Sequence, residues 1–431
     1  MNVMLNIKLH TPIGVRDILP MEAMEKKEIC ARIENIFLGY GYNAVESPMF
    51  EYIEVFSDEK MGSTSPKQMF RFFDRNGSSL ALRSDMTPPI ARIAATAYSK
   101  TTGPLRFSYF GNAFRYSESY QGKLCEFAQA GIELMGVDST DADAEVIALA
   151  VKSILASGIK EFRLHIGQVN FFNSILEETG LSAEDCNVLK DMVAKRNYVG
   201  VESLIEDKEM DENIKQLFIK LPKMVGTKDA IAEAVRLTKS KEALTALKEM
   251  ENLYDSLKLY GVEDYVVFDL GMVNRLNYYT GIIFRGYTYG TGYSIVDGGR
   301  YDNLVQQFGK KIPAVGFGIK VNEVLNVLEN CKVDLGVEGT KTLVAYTSAG
   351  RATALKIADV YRESGMKLEN SLIGDDFEEN ISYAKEREME SILYFVDAVN
   401  IKYVKILDEI GVMTSDITID DLVKPQRGEE E

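Results

Sequence analysis

Cysteine and histidine are scarce in this 431-residue chain: four of the first and two of the second. Cys30, Cys125, Cys186 and Cys331 show no C-x-x-C spacing. That excludes a thiolate zinc frame and a dense disulfide scaffold, and it fits reduced thiols. Cys125 reads as a small buried side chain rather than a reactive one. His10 and His165 lie in unrelated segments without metal-ligand spacing around either, so no metal is expected. No apolar run of about eighteen residues is present to span a bilayer. The opening MNVMLNIKLHTPIGVRD lacks the basic-then-apolar pattern of a secretory signal. A cytoplasmic protein with no membrane partner is the expectation. Phosphate-binding loops are missing too. GYTYGTGYS at 286–294 is neither a GxGxxG after a strand nor a P-loop. LIGDDFEEN at 372–380 lacks the glycine and threonine cluster that would cradle a 5′-phosphate, and it reads as a solvated helix start.

Positive charge is also in short supply. The formal net charge is −16, a poor balance for a chain whose main task is to grip a phosphate backbone. From Thr340 to the end, 11 Lys and Arg face 19 Asp and Glu, so half of the whole deficit sits in that last region. The length implies two or three domains.

Helical spacing of Ile29, Ile33, Ile36 and Phe37 predicts a helix over 21–37 that stops at Gly39 and Gly41. QMFRFFD and SLALRSD flank Asn76-Gly77, the strongest short-range hairpin signal. LRFSYFGNAFRY and EFAQAGIELMG predict two further strands, DADAEVIALAVKSILASG a helix, and EFRLHIG a strand. Residues of about 170–260 turn to Leu, Lys and Glu at helical period, predicting an inserted helical subdomain. Strands return at YVVFDLG and continue to GGRYDNLV, with a helix after Val321. From Lys341 the order β-α-β-α-β implies a small parallel or mixed sheet. The final PQRGEEE reads as a frayed tail.

Three blocks resemble the histidyl-tRNA synthetase family. They are TPIGVRDILP with GYGYNAVESPMFE; LALRSDMTPPIARI with NAFRYSESYQGKLCEFAQAGIE; and NRLNYYTGIIFRGY with GGRYDNLVQQFG and PAVGFGI. The resemblance implies an α+β fold with a class II aminoacyl-tRNA synthetase-like antiparallel sheet core and flanking helices. This core would occupy 1–330 and carry the helical insertion. A small C-terminal α/β domain at 340–425 would resemble an anticodon-binding domain. The residues that correspond to a histidine site are Asp85, Thr87, Arg115, Gln129, Glu133, Asn274, Arg275, Tyr278, Tyr279 and Tyr301. Asp85 stands where the family holds the α-amino group. Gln129 and Glu133 share one face of a strand by period two. Glu133 suits an imidazole, because a carboxylate accepts its N–H. Three tyrosines match those that line the ring pocket.

The nucleotide side departs from the family. Ser117 and Glu118 replace a glutamate and a basic residue, Lys123 a loop arginine, Lys320 a glycine, and Glu323 the arginine that covers the nucleotide. Turning a phosphate-facing cation into an anion swings the interaction by several kcal/mol, on the order expected at about 4 Å and an effective dielectric near 20. The pattern resembles the synthetase paralogues that serve as non-catalytic regulatory subunits of ATP phosphoribosyltransferase. Membership there implies a short-form catalytic subunit as partner, L-histidine as ligand, no cofactor, no tRNA, and a homodimer within a hetero-octamer. The alternatives from other classes are an active histidyl-tRNA synthetase using Arg115 and Arg275, and a paralogue acting as a protein-binding module.

Overall fold

The computed structural model describes residues 9–57, 65–116, 124–206, 208–273, 278–407 and 411–423. It divides into two compact units, Met1–Leu335 and Gly336–Glu431. The centre of the first unit is a nine-stranded sheet among the described residues. Its order is Asn43–Ala44, Leu105–Phe114, Glu126–Met135, Ala314–Lys320, Val296–Arg300, Ile282–Thr288, Phe162–Gln168, Val266–Asp269 and Val225–Gly226. The six strands from Leu105–Phe114 to Phe162–Gln168 pair antiparallel throughout. This is the class II-like α+β core that the sequence motifs imply.

Local signals explain the helices that cover one face of this sheet. Helix Pro20–Gly39 opens with proline and buries Ile29, Ile33 and Phe37, four residues apart on one stripe. Helix Thr140–Ser157 is capped by Ser139, which accepts from the Ala142 N–H, and stops at Gly158 with φ of 110°. Under these helices lie Phe110 and Phe317, each with its ring centroid 5.9 Å from that of Phe37. The opposite face of the sheet is covered in part by helix Thr87–Thr96 and carries the cavity described below.

Among the described residues, 169–259 fold into six α-helices, from Val169–Glu178 to Lys241–Leu259, each burying apolar residues. A two-residue strand, Val225–Gly226, ties this insertion to the sheet through Asp269 and Phe268. A separate three-stranded sheet contains the Asn-Gly hairpin. Arg71–Phe73 and Ser79–Leu82 pair across it, Gly77 has φ of 87°, and the Asp74 carboxylate accepts from the Asn76 and Ser78 N–H groups.

The second unit contains the predicted β-α-β-α-β order and extends it. Its three parallel strands, Leu368–Asn370, Thr342–Tyr346 and Ser391–Phe395, are there with helices Arg351–Glu363 and Phe377–Glu386. Two antiparallel strands, Asn400–Leu407 and Gly411–Thr418, extend the sheet beyond them. The outer strand is mostly exposed and so lacks the alternating apolar pattern that marks a strand in sequence. LIGDDFEEN is a solvated helix start, capped by Asp376. PQRGEEE lies outside the described residues.

Phe37 is fully buried between two rings. Phe37→Ala is expected to cost about 3–5 kcal/mol, the usual range for deleting a core ring. Denaturant unfolding of the full chain checks this.

Candidate functional site

Strand alternation decides which side chains reach the face that carries the cavity. In the paired strands the facing sets are Gln129, Gly131 and Glu133; Lys320, Gly318 and Gly316; and Asp297 and Gly299. The glycines form a floor, and the polar residues rise around it. A side chain on this floor would collide at once. A Cβ at Gly316 would lie 1.8 Å from Glu133 Oε2, one at Gly131 would lie 2.4 Å from the Tyr109 hydroxyl, and one at Gly299 would lie 2.8 Å from the Tyr279 ring. Above the floor is a cavity of about 880 Å³.

Of the ten residues singled out by sequence, eight line this one cavity: Asp85, Thr87, Arg115, Gln129, Glu133, Tyr278, Tyr279 and Tyr301. Asn274 and Arg275 lie outside the described residues, as do Ser117, Glu118 and Lys123. Thr87 begins helix Thr87–Thr96, with two prolines following it in the first turn. Asp85 just precedes that helix. Its Oδ1 accepts from the Met86 N–H at 2.8 Å, and its Oδ2 is 3.6 Å from an Arg115 guanidinium nitrogen. Arg115 is held in turn by donating to the Ser84 carbonyl at 2.6 Å.

Glu133 is the innermost charge-bearing group, 1% exposed. Thr87 donates to its Oε1 at 2.8 Å, and the Tyr301 hydroxyl donates to its Oε2. Burial pushes its carboxyl from 4.5 up to about 8. The two hydroxyls pull it down only in part, and the Asp85 charge pushes it up again. Each of its oxygens accepts one hydrogen bond and keeps a further lone pair. Tyr278 lies tilted against Tyr279 at 4.6 Å and edge-on to Tyr301 at 5.8 Å, which gives the pocket aromatic walls.

The far half of the cavity is built differently. Thr291 donates to Glu323 Oε2 at 2.8 Å, Asn330 donates to the Gly290 carbonyl at 3.0 Å, and Lys320 donates to Ser294 at 2.6 Å. Glu323 therefore anchors the 290–294 loop to helix Val321–Asn330. Lys320 is not a free cation either, because its Nζ lies 2.7 Å from Asp297 Oδ2. Sequence reasoning missed Tyr109, Asp297 and the floor glycines. The alternation that pairs Gln129 with Glu133 also runs through GFGIK and VDGGR, but which strands adjoin cannot be read from the chain.

The histidyl-tRNA synthetase family matches residues 14–324. The ATP phosphoribosyltransferase regulatory subunit of Acetivibrio thermocellus is 42% identical over 97% of this chain and 99% of its own length. That of Clostridium acetobutylicum is 39% identical over 90% and 96%. The chain belongs to the ATP phosphoribosyltransferase regulatory subunit family. A match over 97% of the chain includes most of the C-terminal unit, so that unit is shared with the Acetivibrio protein. A solved structure described as an ATP phosphoribosyltransferase regulatory subunit/histidyl-tRNA synthetase from Bacillus halodurans superposes with a TM-score of 0.80. It is 31% identical and covers 90% of this chain and 98% of its own. Histidyl-tRNA synthetase from Nostoc sp., at 20% identity and a TM-score of 0.79 over 95% and 97%, shares the fold. Among the described residues no helix is long and apolar enough to cross a membrane.

Two outcomes follow from the geometry. Gly316→Ala is expected to displace Glu133, costing about 1–3 kcal/mol as an overpacked site. Thermal unfolding checks it. Glu133 keeps its proton to a higher pH in the folded state than in the unfolded chain. Stability from the neutral form is therefore complete below pH 4.5 and is lost as pH rises through about 8. Melting curves between pH 5 and 9 should show this loss in the unaltered protein and not in Glu133→Gln.

Proposed function

We propose that this chain is the non-catalytic partner of a short-form ATP phosphoribosyltransferase catalytic subunit. In that role it is needed for the transferase's activity and for its inhibition by L-histidine, at the first step of histidine biosynthesis. One observation carries the reading: a single cavity keeps the acidic and aromatic half suited to histidine while its other half presents Glu323 tied to Thr291. In the proposed pose Asp85, Thr87 and Gln129 receive the α-ammonium group, and Glu133 with the three tyrosines receives the ring. Arg115, on the cavity wall, is the cation for the carboxylate, and Asn274 and Arg275 belong to the proposed site by the family resemblance alone.

Regulation of this kind needs histidine to favour one arrangement of the complex over another, and the coupling is reciprocal. The proposed assembly is a homodimer closing on a two-fold axis through residues 41–51, itself part of a hetero-octamer in the cytoplasm. The small domain at 340–425 resembles an anticodon-binding domain. Its acidic balance supports a role other than tRNA binding.

Calorimetry with L-histidine tests the ligand. Asp85→Ala and Glu133→Ala should each weaken binding about ten- to a hundredfold, the loss of a charge-assisted hydrogen bond worth roughly 1.5–3 kcal/mol. Unchanged affinity in both variants would move the site elsewhere. Mixing with a short-form catalytic subunit tests the partner: transferase activity should rise and become inhibitable by histidine. Asp85→Ala should blunt the inhibition and spare the activation. A transferase indifferent to the added chain would refute the reading.

A further inference from the structure

The polar face of the sheet does not end at the cavity. Asp297 stands directly opposite Arg285 on the next strand, and Arg285 directly opposite His165 on the one after. Opposed residues point to the same face. His165 is in register with Val267, so Asp269, two residues further on, shares that face. Asp269 Oδ2 accepts from Arg196 at 2.6 Å. Arg196 belongs to the turn between helices Ala183–Ala194 and Tyr198–Glu206 of the insertion. A row of charged and ionisable groups, Lys320, Asp297, Arg285, His165, Asp269 and Arg196, thus runs from the cavity to the helical insertion.

The row is tight at its ends and slack in its middle. Lys320 is 2.7 Å from Asp297 and Arg196 is 2.6 Å from Asp269. Arg285 Nε is 3.9 Å from Asp297 Oδ1, and His165 Nδ1 is 3.5 Å from Asp269 Oδ2. Among the described residues eight buried side-chain polar atoms have no hydrogen-bond partner, and three of them belong here: Asp297 Oδ1, His165 Nδ1 and Asp269 Oδ1. Buried polar atoms are nearly always paired, so three open joints in one row need a reason. Both carboxylates are also shared. Asp297 lies between Lys320 and Arg285, and Asp269 Oδ2 between Arg196 and His165. A movement of either carboxylate toward one neighbour changes its distance to the other.

We propose that this row couples occupancy of the cavity to the helical insertion. It rests on the reading of the cavity as a histidine site. Lys320 lines the cavity and is bonded to Asp297, so a ligand that shifts the Lys320 ammonium changes the share of Asp297 left to Arg285. Arg285 then turns from His165, which closes on Asp269. Asp269, drawn to His165, loosens its hold on Arg196. A buried contact reinforces the path, because Met272, three residues after Asp269, packs with Val169 and Ile283 against Tyr279 of the pocket. By linkage, whatever fixes the insertion shifts histidine affinity by the same factor.

Hydrogen exchange read by mass spectrometry on the full chain, with and without saturating L-histidine, tests this. The unaltered chain should show a histidine-dependent change of at least about threefold in exchange rate across 183–206, since exchange there reports local opening. Arg285→Gln breaks the row at its middle. Arg196→Ala breaks it at the exposed end, where no ligand reaches. Both should abolish the change at 183–206 while calorimetric affinity for histidine shifts by no more than the coupling itself, about five- to tenfold. Binding heat without any exchange change in the unaltered chain would overturn the row and leave the ligand reading standing. A change that survives in both variants would also overturn it. Absence of binding heat in the unaltered chain would overturn the ligand reading and the row with it.

Discussion

Glu133 stands upright in the middle of a sheet because a glycine faces it. Any side chain at Gly316 would occupy the space of its Oε2, and without that oxygen in place Tyr301 loses its acceptor. Tyr301 in turn packs on Tyr278, which packs on Tyr279. The pocket wall, the buried carboxyl and the helix that begins at Thr87 are therefore one hydrogen-bonded and packed unit resting on a few missing Cβ atoms. Burial of that carboxyl sets its chemistry, raising it to about 8, so that near neutral pH the site presents a proton as well as two acceptors.

The two halves of the cavity use charge in opposite ways. Around Glu133 and Asp85 the acidic groups face inward, where a ligand with N–H donors finds partners. Beyond Lys320 the charged groups are already engaged: Lys320 with the Asp297 carboxylate, Glu323 with the Thr291 hydroxyl. A triphosphate entering that half would meet a carboxylate and a lysine already paired, and freeing the lysine would cost the attraction that holds Asp297. The family resemblance, read with these pairings, supports a protein that recognises an amino acid and has given up the energetics of activating it.

Much of this was legible in the chain. The helix carrying Ile29, Ile33 and Phe37, the Asn76-Gly77 hairpin and the helix from Ser139 to Gly158 all follow from local patterns. The pocket residues were readable from motifs, because Asp85, Thr87, Gln129, Glu133 and the tyrosines sit in short recognisable strings. The pairings that span the sheet were not. Asp297 reaches the cavity only because Val296–Arg300 lies beside Ala314–Lys320, which in turn lies beside Glu126–Met135, a neighbour remote in sequence. The anchoring of Glu323 depends on Thr291, in a loop with no regular period. The hairpin at 400–418 escaped notice because its outer strand is wet on both faces, and exposed strands carry no alternation.

The central claim is that the cavity binds histidine without activating it, and pyrophosphate exchange tests this most directly. Purified chain, L-histidine, ATP and labelled pyrophosphate should give no label in ATP above the rate seen without histidine. Histidine-dependent exchange at about 1 s⁻¹ or faster, within the ordinary range of enzyme turnover, would contradict the account and make the chain a working histidyl-tRNA synthetase.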